Sequence, residues 1–406
     1  VQVPRISTQI DPTSVRVRSL QASGLVSILE QRFSYDLLSG DALLRNYTDK
    51  DVDFYLNGVE APLRGRLLSL GTHVVLKRED GRVELVRRDA IQRISVPDLP
   101  EGLVTEPTLT WEVENRGNEG SRPMEISYLT QGVTWHAEYS AVISEDETVL
   151  MLSSWASIEN ESGMTFENAD LTLVAGEVNR SAPRRRAMGR ELAGMSMTAR
   201  ANPQLESQQM FEYHAYALGR KGTIENNASV QLSMLDQTDV KVSKHYVYDG
   251  IMTPNGVQTR FRLENRKRYG LGLPLPRGTV RLYQENKDGK RQFIGEDNIK
   301  DLSEDETVYL TVGHAFDISG ERTQTGSRQP SKGVVQASFR IVLRNQTSDS
   351  VTVKVIEHLK TGPNWRIREP SHLFEKLDAR TIEFEVPVRN NGETEVTYTV
   401  EYRREI

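Results

Sequence analysis

An all-β fold in several domains is what this sequence predicts, and three observations predict it. The stretch 126–178 reads as three consecutive strands, with Trp135, Ala137, Tyr139, Ala141 and Ile143 on one face and Thr134, His136, Glu138 and Ser140 on the other. That is the period of two of a half-buried strand. Leu150, Leu152, Ala156 and Ile158 continue the pattern until Glu159-Asn160 stops it. Asn57-Gly58 and Asp80-Gly81 separate short apolar runs, and such pairs supply the positive φ that tight hairpins demand. Finally, 406 residues are too many for one core, and 37% hydrophobic with 27% charged residues suits many short strands that each bury one face.

Residues 1–41 and 98–180 are expected to form an N-terminal β-sandwich. Its opening runs, 14–20 and 24–30, break at Ala22-Ser23-Gly24, and Leu109, Trp111 and Val113 return the chain to the same sheet by alternating with Thr108, Thr110, Glu112 and Glu114. Between them, 42–97 carries runs at 52–56, 65–70, 74–77, 83–86 and 91–94. This is a five-stranded meander, best fitted by a small SH3-like barrel inserted in the sandwich. Barrels of that kind bind RNA or peptides, but this segment lacks a clustered aromatic-basic surface, so a packing or spacer role is expected.

Residues 181–210 break the strand period and read as a linker or mobile loop. They hold Arg184-Arg185-Arg186 and several methionines. In a net-acidic chain a solvated loop explains the arginines better than a phosphate contact, and without a histidine cluster the thioethers do not make a copper site. Strands resume in 211–333, a second sandwich with runs at 230–235, 240–248, 259–263, 278–285 and 308–312. In 334–406, Val351/Val353/Val355, Ile382/Phe384/Val386 and Val396/Tyr398/Val400/Tyr402 alternate with polar residues, as in a C-terminal immunoglobulin-like or fibronectin-like sandwich. Fewer than about a tenth of the residues are expected in helices against the usual third. The expected core residues are Trp111, Trp135, Trp155, Tyr139, Trp365 and Phe384.

Two echoes point to repeated units. Glu-Asn follows a short apolar segment at Glu114-Asn115, Glu159-Asn160, Glu225-Asn226 and Glu264-Asn265, and Ser-Glu-Asp-Glu-Thr-Val occurs at 144–149 and 303–308. Asparagine bonds its own backbone and tolerates the left-handed conformation, so it closes strands.

The composition excludes several function classes. A net charge of −6 opposes nonspecific attraction to nucleic acid or anionic membrane. No apolar run approaches the roughly 20 residues of a spanning helix. The absence of cysteine removes disulfides, zinc-thiolate sites and thiol nucleophiles. Val1-Gln2-Val3-Pro4 opens the chain without an initiator Met, which favours a processed, extracytoplasmic protein: secreted, periplasmic or on the cell surface.

Catalytic motifs are sought without success. Gly270-Leu271-Gly272 runs into Leu273-Pro274-Leu275-Pro276, which cannot open a phosphate-binding helix. The histidines at 73, 136, 214, 245, 314, 358 and 372 lack ligand spacing. His136, outward on its strand, is the one to watch, and a hydrogen-bonding role on the sheet explains it better than general-base chemistry. The turns Glu145-Asp146-Glu147 and Glu304-Asp305-Glu306 offer oxygen ligands without the spacing of a preformed calcium loop. No catalytic, cofactor-binding or metal residue is therefore assigned.

Three segments carry a family resemblance. They are 271–283 (Leu-Gly-Leu-Pro-Leu-Pro-Arg-Gly-Thr-Val-Arg-Leu-Tyr) running on to 292–296 (Gln-Phe-Ile-Gly-Glu); 312–318 (Val-Gly-His-Ala-Phe-Asp-Ile); and Glu357-His358-Leu359 with Asn364-Trp365. Over about residues 126–406 the chain resembles the bacterial mucoidy-inhibitor-A-like proteins, the domain-of-unknown-function 4139 family. The resemblance implies an all-β extracytoplasmic protein with no established reaction. It also implies a strand ahead of Ile10-Asp11-Pro12-Thr13-Ser14-Val15, where this chain has only Val1 to Gln9 interrupted by Pro4. The expected function is a non-catalytic structural, adhesive or assembly protein of the bacterial cell envelope. The alternative is an envelope hydrolase or carbohydrate-binding protein with a site between β domains. An unpaired edge and an apolar groove are expected to recruit a second copy, as an oligomer or filament, with Val1, Val3 and Ile6 at the joint. Pro4 and Arg5 are the features that oppose it. An envelope partner or a polysaccharide completes the list of expected partners, without nucleic acid.

Overall fold

The computed structural model describes the chain except residues 21–25, 37–38, 99–102, 118–119, 177–205, 211–212, 255, 361–363 and 404–406. Arg184, Arg185 and Arg186 lie outside the described residues. Strands dominate the rest, as alternation predicts, and Gly40–Arg45 is the one α-helix among the described residues. It was not expected: six residues are too few to show a 3.6-residue period. Its signals are its ends, Ser39 Oγ accepting from Ala42 N at 3.1 Å, Asp41 in the first turn and Arg45 in the last, each matched to the orphan groups and dipole there.

The chain forms two compact units: Val1–Thr134 with Glu159–Asn168 and Thr223–Ser229, and Trp135–Ile158 with Ala169–Gly222 and Val230–Ile406. In the first, the inserted segment builds a five-stranded sheet in the order Val83–Arg87, His73–Lys77, Leu63–Leu70, Asp51–Leu56, Ile91–Ser95. Tyr47, Val52, Phe54, Leu67, Val74, Leu76 and Val86 are its buried core. Gly58 and Gly81 take the positive φ, 77° and 86°, that their hairpins require. The flanking residues form two smaller sheets. Gln2–Pro4, Thr108–Asn115 and Val26–Ser34 make one, with Thr108–Asn115 central; Met124–Ser127 and Arg16–Ser19 make the other.

A ten-stranded sheet runs in the order Arg291–Ile299, Gly278–Glu285, Val133–Ile143, Val149–Asn160, Ala228–Asp249, Val351–His358, Thr381–Val388, Phe374–Lys376. Gln258–Glu264 and Thr307–His314 join it through Ala228–Asp249. Strand pairing therefore crosses the boundaries read at 180, 210 and 333: Ala137 to Ile143 pair in parallel with Gly278 to Gln284, and Ile318–Ser331 pairs with Val334–Asn345. The runs 230–235 and 240–248 are one 22-residue strand. Its polar middle bears on the loop around Gly270, where a Cβ would stand 1.9 Å from Asp239 O. The last five residues of the expected loop, Glu206–Met210, are a strand paired with Tyr213 to Ala217.

Of the expected core residues, Trp111, Tyr139 and Phe384 are buried, and Trp135 and Trp365 are half-buried. Trp155 is 38% exposed. Leu150, Leu152, Ala156 and Ile158 occupy the inward positions of its strand, so the period of two turns residue 155 outward.

Three four-strand units share one connectivity, first strand paired with fourth and second with third. They are Val149–Asn160, Phe166–Ala175, Tyr213–Ile224, Ala228–Asp249; Gln258–Glu264, Gly278–Glu285, Arg291–Ile299, Thr307–His314; and Val334–Asn345, Val351–His358, Thr381–Val388, Gly392–Arg403. At the end of each first strand lies a buried asparagine: Asn160, Asn265 or Asn345. Asn160 Nδ2 donates to the carbonyls of Met164, Ile224 and Glu225, and its Oδ1 accepts from Ser162 N and Oγ. Asn345 repeats this with Asp349, Val388 and Arg389, and with Thr347 N and Oγ1. Asn265 Nδ2 donates to Leu273 and Ser303, and Oδ1 accepts from Gly272 N and Leu273 N. One amide thus joins the turn after the first strand to the turn before the fourth, filling its donors and acceptors.

Asn345→Ala removes five such bonds and strands buried backbone groups. We expect a loss of about 3 kcal/mol in urea unfolding, against less than about 0.5 kcal/mol for Asn390→Ala, at an exposed position of the facing turn. Equal effects would show that the clamp does not hold the turns.

Candidate functional site

Alternation leaves the core of the N-terminal sheets open along one side. Val1 and Val3, Val26 and Ile28, Trp111 and Val113, and Met124 and Ile126, each pair two residues apart, turn inward with Val17. Together they line an apolar groove of about 220 Å³. Gln2, Val3 and Pro4 pair with Thr110, Leu109 and Thr108, and the Val1 ammonium donates to Trp111 O at 2.8 Å. Trp111 is fixed by its Nε1 donating to Gln31 Oε1 at 2.9 Å. Val1, Leu20, Ile28, Leu29 and Met124 are exposed. Val1 and Val3 thus lie at the groove, whereas Ile6 is in the core with Ile10, Val15, Leu109 and Trp111. After Pro4 the left-handed Arg5 (φ 61°) takes the chain out of the edge strand.

Polar groups elsewhere fall into tight local pairings. Arg322 sends Nε and Nη2 at 2.9 Å to the two carboxylate oxygens of the fully buried Glu357, which also accepts from Tyr398 Oη. The guanidinium lies 4.0 Å from the Phe339 ring centroid. Arg322 and Tyr398 belong to one sheet and Glu357 to another, so the pair ties the sheets together. Burial first, and the Glu357 charge second, push the Tyr398 phenol well above its ordinary pKa. The neighbouring His358 bonds Asp249 Oδ2 through Nε2 at 2.7 Å, while Asp249 Oδ1 accepts from Ile251 N and Met252 N. His358 faces a cleft of about 380 Å³ with Leu359 and Asp378 to Thr381.

His136 is an exposed partner of Glu138, at 3.2 Å on the same strand, and Glu138 reaches across to Arg281. The Arg281 hydrogen bond, with a smaller contribution from His136, holds the Glu138 carboxyl below its usual range. In the acidic turns, Glu147 holds Lys244 at 2.8 Å and Asp146 accepts from Ser144 and Thr148, while Asp305 meets Arg266 at 3.2 Å and Glu304 meets Lys267 at 3.5 Å. Among the described residues no three His, Cys, Asp or Glu side chains group as a metal site, and no helix is long and apolar enough to cross a membrane.

Fold and site together define a class: a multi-sheet, all-β protein with an apolar groove in one unit and buried polar clamps in both. Residues 124–368, more than half of the chain, match the family described as "Domain of unknown function (DUF4139)". The chain belongs to that family. No curated protein matches it. The matched region contains Asn160, Asn265 and Asn345, Arg322 and Glu357, although the Val388 and Arg389 carbonyls that Asn345 bonds lie beyond it, and of the groove it contains only Met124 and Ile126.

Glu357→Ala leaves the Arg322 guanidinium buried without its counter-charge and should cost about 3–5 kcal/mol in chemical unfolding. The double variant Arg322→Met/Glu357→Leu should recover most of that, and equal losses in both would deny the pairing. The Glu401 carboxyl is held at about 2 by hydrogen bonds from Gln336, Arg368 and Arg403. A carboxyl depressed in the folded state stabilises it fully above the ordinary carboxylate pKa, and that contribution is lost as pH falls toward the folded value. Melting temperatures of wild type and Glu401→Gln should therefore converge near pH 2 and separate above the ordinary value of 4.5. Curves that stay parallel would exclude this role.

Proposed function

We propose that the protein is a non-catalytic structural or assembly component of the bacterial cell envelope, acting outside the cytoplasm, and that it self-associates through its N-terminal groove. The observation that carries this reading is the groove lined by Val1, Val3, Ile28, Trp111, Met124 and Ile126. Its shape, between two sheets of alternating side chains, fits an extended strand with apolar residues two apart. The occupant is a second copy of this chain. Of the residues that line the slot, Val1, Ile28 and Met124 are exposed, so its mouth offers apolar surface that a second copy can bury. Where both copies use this one patch the contact is isologous and closes a dimer; where a different surface of the second copy fills the slot, it is head-to-tail and propagates into a filament unless its rotation closes a ring. The short edge strand Gln2–Pro4 limits backbone pairing and leaves apolar burial as the main attraction.

A hydrolase is the competing reading, and the Asp249–His358 pair at its cleft is what favours it, since a carboxylate that orients an imidazole is half of a general-base device. Loss of any hydrolytic activity in His358→Ala would support that reading over the structural one.

Multi-angle light scattering tests self-association. The wild type should show a mass that rises with concentration above the 46.0 kDa of one chain. Ile28→Glu/Met124→Glu, at exposed rim positions, should remain at the single-chain mass. A wild type that stays at that mass at high concentration sinks the proposal, as does a rise that the double variant leaves intact.

A further inference from the structure

One open sheet face carries cations that its own carboxylates do not balance. On three adjacent strands, Ser243 pairs with Arg262 and Arg262 with Tyr309, while His245 pairs with Arg260 and Arg260 with Thr311. Antiparallel partners point to the same side, so these six residues form one patch two rows deep. Between them, Phe261 and Leu310 are buried and Lys244 is partly buried, which turns the patch to the other side, toward solvent. Tyr309 is 43% exposed and meets His245 edge-on, with centroids 6.1 Å apart. His245 Nε2 in turn lies 2.9 Å from Ser243 Oγ.

The charge excess follows from the pairings. Arg260 sends Nε and Nη2 to the neutral Gln258 Oε1, at 3.1 and 2.5 Å. Arg262, Arg266 and Arg268 converge on the single carboxylate of Glu264, at 2.6, 3.7 and 3.7 Å. Arg266 also meets Asp305, and Lys267 meets Glu304. From Arg260 to Arg268 there are five cations; the carboxylates that touch them are Glu264, Asp305 and Glu304, and with Asp297, which accepts from Thr311 N at 2.7 Å, there are four, so one positive charge is left over. Burial first, then the charges of Lys354 and Arg262, lower the pKa of the His245 imidazole, against the carboxylates of Glu383 and Glu385, which raise it.

We infer that this face binds an acidic polysaccharide. Arg260 and Arg262 present forked donors that match carboxylate geometry. They stand two residues apart on one strand, about 7 Å, so both can engage one chain laid along the strand. The Tyr309 ring offers a flat apolar surface to a pyranose face, and the hydroxyls of Ser243 and Thr311 lie in the same rows. A nucleic acid fits less well. Tyr309 and the His245 imidazole meet edge-on and are the two rings among the six patch residues, where single strands need a series of stacking platforms.

Affinity electrophoresis through gels containing polygalacturonate, neutral dextran or single-stranded DNA tests the inference, with binding constants from titration calorimetry. Polygalacturonate should retard the wild type and dextran should not. Arg260→Glu/Arg262→Glu should weaken polygalacturonate binding at least about tenfold, roughly 1.4 kcal/mol, and Tyr309→Ala should weaken it too. All three positions are at least partly exposed, and circular dichroism and light scattering confirm that the variants keep the fold and mass of the wild type. No retardation by polygalacturonate overturns the inference. So does binding that survives the charge reversal or is indifferent to Tyr309→Ala, and so does tighter binding to single-stranded DNA. The face lies apart from the N-terminal groove residues in sequence and in unit, so failure of self-association leaves this test unaffected.

Discussion

A buried primary amide must find partners for two N–H donors and one carbonyl oxygen, and that requirement, met three times, is what the sheets of this protein turn on. Asn160, Asn265 and Asn345 each end the first strand of a four-strand unit, and each joins the turn that follows to the turn that precedes the fourth strand. The first and fourth strands are held as neighbours although about 40 to 70 residues separate them, and the second and third pair with each other. Long-range pairing is the slow and costly step of building β structure. A side chain that fixes both turns at once reduces the number of ways the strands can slip.

A second kind of polar burial closes the C-terminal sheets. Glu357 is fully buried and satisfied by Arg322 and Tyr398, and Gly320 lets the Tyr248 ring approach to where a Cβ would be 2.5 Å away. The surrounding core of Val353, Val355, Phe384, Val386, Val396 and Val400 supplies most of the burial energy, since each aliphatic or aromatic side chain removed from water contributes about 1.5–3 kcal/mol. The ion pair adds registry to that apolar burial: it is favourable only when both partners meet in one geometry. The adjacent His358 points the other way, to Asp249, so one strand end serves the core with one residue and the surface with the next.

The two proposed surfaces differ in the same terms. The groove is a place where apolar side chains face each other without a strand between them, and its attraction is non-directional. The face around Arg260, Arg262 and Tyr309 lies on paired strands, with a register shift between Thr259 and Arg260, and its attraction is electrostatic and directional. A self-associating envelope protein that also meets an acidic glycan would use the first for assembly and the second for its surroundings.

The period of two in residues such as Trp135 to Ile143 and Val351 to Val355 was enough to establish an all-β chain, because alternation is a local property that each strand must satisfy alone. The motifs 271–283 and 312–318 lie within the matched family region. The Glu-Asn echo marked Asn160 and Asn265, and also Asn226, whose Oδ1 accepts from Gly163 N in the turn beside Asn160. It passed over Asn345, which follows Arg344, because the clamp depends on the amide and not on the residue before it. Trp155 was misplaced by its hydrophobicity when its own strand's period already turned it outward. Only the tertiary structure decided which strands are neighbours, that Arg322 meets Glu357, that Asp249 meets His358, and that Arg260, Arg262 and Tyr309 share a face. Those contacts join residues far apart in the chain, and nothing in the local alternation of a strand records which partner its edge will choose.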